Sequence, residues 1–123
     1  MATGLLIPCE LSQRAVEATL DSLGSIQQIV GGDIEQVALP TPAWTLYVHE
    51  AAKVHNEAVN LRATVLWRRA WQDSGNDLDP QRFAAETING DVLVVGPSDD
   101  HGNTRNLAAT DRDTILELCA KVR

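Results

Sequence analysis

Three histidines, two cysteines and eight arginines are the side chains of this chain best equipped for chemistry, and their spacing decides which can act together. His49 and His55 stand six apart in H-E-A-A-K-V-H. Zinc peptidases set two histidines four apart on one helical turn, with a glutamate beside the first. Six positions on a helix rotate by about 240°, so these two rings point in different directions. His101 lies in Ser98-Asp99-Asp100-His101-Gly102-Asn103, the composition of a hairpin turn. Cys9 and Cys119 are 110 positions apart, with no C-x-x-C spacing for zinc or redox work. Cys9 is a nucleophile only if a histidine and a carboxylate converge on it; both cysteines read first as small buried hydrophobes. No metal site, cofactor or catalytic residue is expected.

Acidic and glycine-rich segments fail their own tests. Asp73, Asp77 and Asp79 flank Gly75 and Asn76, but an EF-hand loop requires a glycine sixth and a glutamate twelfth, where Leu78 and Ala84 stand. The glycines never assemble into G-x-x-x-x-G-K-[ST] or G-x-G-x-x-G, and no G-x-S-x-G elbow is present. What remains is an arginine–tryptophan segment. Trp67 and Trp71 are one helical turn apart with Arg68 and Arg69 between them, and Arg62 precedes them. Arginine and aromatic side chains are the strongest anchors of protein interfaces and also stack on nucleotides. Arg62, Arg68, Arg69, Trp71 and His49 are the candidate partner- or ligand-binding residues.

The elements that must position these residues follow from hydrophobic spacing. Ala2–Ile7 is a short apolar run closed by Pro8, a buried strand. Arg14–Leu20 alternates, with Val16, Ala18 and Leu20 opposed to Glu17 and Thr19, and pairs antiparallel with the first strand because few residues separate them. A helix capped by Asp21 or Ser22 carries Leu23, Ile26, Ile29 and Val30 and stops at Gly31-Gly32. Asp33–Leu39 is extended, Pro40 and Pro42 end it, and Leu46–His49 resumes an extended course. Glu57–Gln72, free of glycine and proline, is predicted as the longest helix, burying Val59, Ala63, Leu66, Trp67 and Ala70 while Arg62, Arg68 and Arg69 take the opposite half. After a surface turn at Asp73–Pro80, Gln81–Ile88 is predicted as a short helix and Asp91–Val95 as a central strand. Thr110 is expected to cap a closing helix with Ile115, Leu116, Leu118, Cys119 and Val122. The fold class is α+β: a mixed, largely antiparallel sheet with two to three packed helices, in a single domain spanning residues 1–123.

Composition narrows the function classes. The chain has 123 residues and a formal charge of −7. That acidity argues against a protein whose main work is gripping nucleic-acid phosphates. No apolar run reaches the roughly 20 residues that span a bilayer, and Met1–Pro8 is too short for a signal-peptide core, so a cytoplasmic protein is expected. The charge is unevenly spread. Residues 60–72 hold three arginines and no acid, whereas residues 73–100 hold seven acids against Arg82 alone. These blocks either meet within the fold or face a partner.

The order of landmarks resembles the family called domain of unknown function 3846. The stretches that carry the likeness are Leu23–Glu35 with its Gly31-Gly32, Leu46–Glu50, Asn60-Leu61-Arg62-Ala63-Thr64, and Gly90-Asp91-Val92-Leu93-Val94-Val95-Gly96. The resemblance implies a small cytosolic accessory protein of phages, plasmids or actinobacterial chromosomes, and transfers no catalytic residue. The expected function is a non-enzymatic accessory or regulatory module, monomer or homodimer, that binds a protein partner. The alternatives are a small-molecule or nucleotide sensor using Arg62, Arg69 and His49, or an acidic decoy of DNA.

Overall fold

The computed structural model of the protein describes residues 2–20, 23–37, 44–52, 56–74, 87–97 and 105–122. Five strands build one sheet: β1 (Ala2–Ile7), β2 (Val16–Leu20), β3 (Ile34–Val37), β4 (Thr45–His49) and β5 (Val92–Val95), in the order β2-β1-β5-β4-β3. Three described helices pack on it: α1 (Leu23–Val30), α2 (Leu61–Ser74) and α3 (Ala109–Lys121). The fold is α+β, and among the described residues each of the four strand pairings is antiparallel.

β5 lies at the centre because all four of its side chains are apolar and fully buried. Alternate residues of a strand face opposite sides, so Val92 and Val94 serve one face and Leu93 and Val95 the other. The first face meets Leu5, Ile7, Leu46 and Val48 of the sheet, Ala63 and Leu66 of α2, and Ile115 and Cys119 of α3. The second meets Leu20, Tyr47 and, from α1, Ile26 and Val30. The molecule is therefore layered, with α1 on one side of the sheet and the α2–α3 pair on the other.

Several expectations hold at the level of single residues. β1 and β2 pair in the register Leu5↔Glu17 and Leu6↔Val16, which sets Val16, Ala18 and Leu20 on one side. α1 ends where the glycines end it: the N–H groups of Gly31 and Gly32 both donate to the Gln27 carbonyl at 2.9 Å, with Gly31 at φ +94°. Cys119 is buried in the core as expected, and Cys9 is half-buried.

Two helix starts differ from the sequence reading. α2 begins at Leu61 rather than Glu57, because residues 57–60 spend their backbone groups on residues 87–90. Asn60 N–H donates to Ile88 O at 2.7 Å, Gly90 N–H donates to Ala58 O at 2.8 Å, and Val59 forms a bridge with Asn89. Val59 is consequently 45% exposed instead of lying on the buried face. α3 begins after Ala108, whose side chain makes no cap, and Thr110 lies inside the helix. The Asp21 or Ser22 cap, the Pro40–Pro42 turn, His55, His101, and all but the edges of the Asp73–Pro80 loop and the Gln81–Ile88 helix lie outside the described residues. Thr87 and Ile88, at the end of that segment, are not helical.

Candidate functional site

Asn60 is where the buried side of α2 is built. It is fully buried, and its side-chain oxygen accepts the Ala63 N–H at 3.0 Å, the hydrogen bond of an N-cap. Its amide nitrogen donates to the Ile7 carbonyl at 2.8 Å and the Gly90 carbonyl at 2.9 Å. One side chain thus ties the helix start to β1 and to the approach to β5. One turn later, buried Thr64 accepts the Ile88 N–H on its hydroxyl at 2.9 Å.

Arg62 belongs to this same junction. It is only 5% exposed, and its Nη2 donates to the carbonyls of Pro8 at 2.6 Å and Glu10 at 3.0 Å. The helix rotates by about 100° per residue, which turns Arg62 toward the chain leaving β1 rather than toward solvent. A residue expected on the contact face is therefore a tie between α2 and the β1–β2 connection. Beside it, Cys9 N–H donates to Asp91 Oδ1 at 2.9 Å. Desolvation, then the Asp91 carboxylate, pushes the Cys9 thiol up from its ordinary value, which keeps it a thiol and not a nucleophilic thiolate.

Arg69 has a different setting. It is exposed and lines a groove of about 280 Å³ between α2 and α3. Trp44, Leu66, Ile115 and Leu118 supply apolar walls, and Asp111, Glu117 and Lys121 supply the other charges. Arg68 and Trp71 are half-buried on α2, while Trp67, like Trp44, packs against the core. The arginine–tryptophan segment is thus divided: Arg62 inside, Arg69 on the groove, Trp67 in the scaffold.

His49 sits at the end of β4 and is not among the residues lining this groove. Its Nδ1 lies 2.6 Å from Glu57 Oε2, with the two side chains 12% and 32% exposed. Two glycines make room for the pair. A Cβ on Gly32 would come within 2.5 Å of His49 Nε2, and one on Gly90, at φ +79°, within 3.0 Å of Glu57 Oε1. Next to the pair is a cavity of about 120 Å³, lined by Glu35, Val37, Val48, His49, Glu50, Ala52, Thr87, Ile88 and Asn89. Among the described residues, the His49 cavity includes neither Arg62 nor Arg69. His49 acts with Glu57, which sequence reasoning placed inside a helix and did not single out. The signal that was available is Asn60, a strong N-cap residue four positions before Thr64, which moves Glu57 out of the helix.

Among the described residues no group of three or more histidine, cysteine, aspartate or glutamate side chains could hold a metal ion, and no helix is long and apolar enough to cross a membrane. Most of the acidic residues between positions 73 and 100 lie outside the described residues, so their setting does not enter the site.

The described elements, an antiparallel five-stranded sheet with one helix on one face and two on the other, make this an α+β protein. The chain belongs to the family Domain of unknown function (DUF3846), whose model matches residues 3–120. No curated protein and no solved structure matches it.

Proposed function

We propose that the protein is a non-enzymatic accessory module that binds a protein partner through the α2–α3 groove. The observation that supports this is the placement of Arg69 and Trp44 on one apolar-walled trough with charges of both signs at its edges. Arginine and tryptophan set against apolar surface are the residues that most often dominate interface energy. At about 280 Å³ the trough is smaller than the roughly 300–1,000 Å³ of drug-sized ligand sites, and suits a few anchoring side chains of a partner. The resemblance to small proteins of phages, plasmids and actinobacterial chromosomes supports an accessory role toward host or element machinery. Exposed Arg69 and Lys121 can be reversed without touching the Arg62 junction. The Arg69→Glu/Lys121→Glu variant is expected to lose at least tenfold of partner recovery in a pull-down while it still unfolds cooperatively from a folded state. Equal recovery by the folded variant would refute the groove as the contact.

The cavity beside His49 favours a second reading, a small-molecule sensor. A ligand present at 100 times its dissociation constant adds about 2.7 kcal/mol of stability. A thermal-shift screen that stays flat across amines, nucleotides and sugars would count against it.

A further inference from the structure

The cavity at the β3–β4 edge has a one-sided chemistry. Its walls are the apolar side chains of Val37, Val48, Ala52 and Ile88. Thr87 donates its hydroxyl to Asn89 at 2.8 Å, Asn89 donates its amide to the Glu57 carbonyl at 2.8 Å, and His49 is engaged with Glu57. Those polar groups are already committed within the fold. Glu35 and Glu50 are not: both are exposed, and among the described residues neither carboxylate takes part in an ion pair or hydrogen bond. Among the described residues no lysine or arginine lines the cavity.

Strand register brings these two carboxylates together. Glu35 is directly opposite Val48 in the β3–β4 ladder. Glu50 is two residues beyond Val48, and its N–H continues the pairing by donating to the Asp33 carbonyl at 2.8 Å. Residues two apart share a face, so Glu35 and Glu50 are diagonal neighbours over Val48, a spacing of roughly 7–8 Å between Cα atoms. Two like charges at that spacing repel, and a cation between them relieves the repulsion. Carboxylates accept hydrogen bonds and donate none, which suits an N–H cation.

We propose that this cavity binds a small organic cation, an ammonium or guanidinium group on a short apolar stem. The stem lies against Val37, Val48, Ala52 and Ile88, and the charged head lies between Glu35 and Glu50 at the mouth. A volume of about 120 Å³ compares with the roughly 150 Å³ that holds benzene, so the stem and head together amount to about five non-hydrogen atoms. Two of the four stretches that carry the family likeness line the cavity: Glu35 comes from the first, and Val48, His49 and Glu50 from the second.

The test is a titration of the full chain, followed by amide chemical shifts, with n-butylammonium, n-butanol and butanoate. Saturable shifts centred on Val37, Val48, Ala52 and Ile88 are expected with n-butylammonium, at least tenfold weaker binding with butanol, and none with butanoate. The Glu35→Gln/Glu50→Gln variant, altered only at exposed positions, should keep its spectrum and bind n-butylammonium at least tenfold more weakly. The Arg69→Glu/Lys121→Glu variant should bind it unchanged, which separates this site from the groove. Equal shifts with butanoate, undiminished binding by the double glutamine variant, or no saturable shift would each overturn the proposal. An acetylated, amidated Gly-Lys-Gly peptide carries the same cation. Tighter binding than n-butylammonium assigns the site to a lysine side chain, and weaker binding assigns it to a free amine.

Discussion

Arg62 and Arg69 stand two helical turns apart on α2, on nearly the same line along the helix, yet they do opposite work. Arg62 is held under the β1–β2 connection by two carbonyl acceptors, and Arg69 is exposed at the groove. Hydrogen bonds from a charged donor contribute about 1.5–3 kcal/mol, and cutting a buried one leaves its acceptor unsatisfied. Arg62→Met is therefore expected to lower the unfolding free energy by about 2–3 kcal/mol in urea, while Arg69→Met, at an exposed position, costs at most about 1 kcal/mol. Equal effects at the two positions would remove the distinction. Cys119 gives a pH signature. Burial is the main influence on its thiol and raises its pKa, outweighing the opposing pull of Arg62. A raised native pKa means that the folded state holds the proton more tightly than the unfolded state. Its contribution is therefore complete below the ordinary thiol value of about 8.5 and declines as pH rises past it. Wild type should lose stability between pH 8.5 and 10 more steeply than Cys119→Ala, measured by urea denaturation at each pH.

At the scale of elements, the start of α2 and the end of β4 are parts of one arrangement. Residues 57–60 pair with 87–90, which takes Glu57 out of the helix and carries its carboxylate to His49. Gly32, just past α1, seats the other side of the imidazole. Gly32→Ala is thus expected to displace His49 from Glu57, so that its cost and that of Glu57→Gln do not add. A thermal double-mutant cycle should give a coupling of about 0.5–3 kcal/mol, the range for residues that share a partner. A coupling near zero would show that the glycine serves the backbone alone. The tie between α3 and β2 belongs to another class. Arg112 lies 2.6 Å from Glu17, with the two side chains 35% and 61% exposed, and exposed pairs contribute at most about 1 kcal/mol. α3 is held instead by Ile115 and Cys119 in the core.

Across the whole molecule, what was legible in the sequence is what local pattern controls. Four consecutive apolar residues between Gly90 and Gly96 identify a strand buried on both faces, alternation identifies β2, and Gly31-Gly32 marks the end of α1. Each signal lies within a few residues of chain and depends on a 2.0 or 3.6 residue period or on a φ that glycine adopts. The acidic charge and its separation from the three arginines of residues 60–72 were likewise readable in advance. What period alone does not contain is which polar group meets which across 30 to 54 positions of sequence. Asn60 to Gly90 and Arg62 to Pro8 are contacts of that range, and they turned an expected surface arginine into a buried tie. At shorter range, period does not contain the meeting of His49 with Glu57 either, nor that of Glu35 with Glu50 over Val48, whose proximity exists only once β3 and β4 are in register. Sequence by itself determined the family, the α+β class and most element boundaries, because these follow from short-range sterics and burial. Tertiary structure alone decided which charged residues face a groove or cavity and which are spent inside. Hydrogen-bond satisfaction of buried backbone is settled by packing, not by neighbours in the chain.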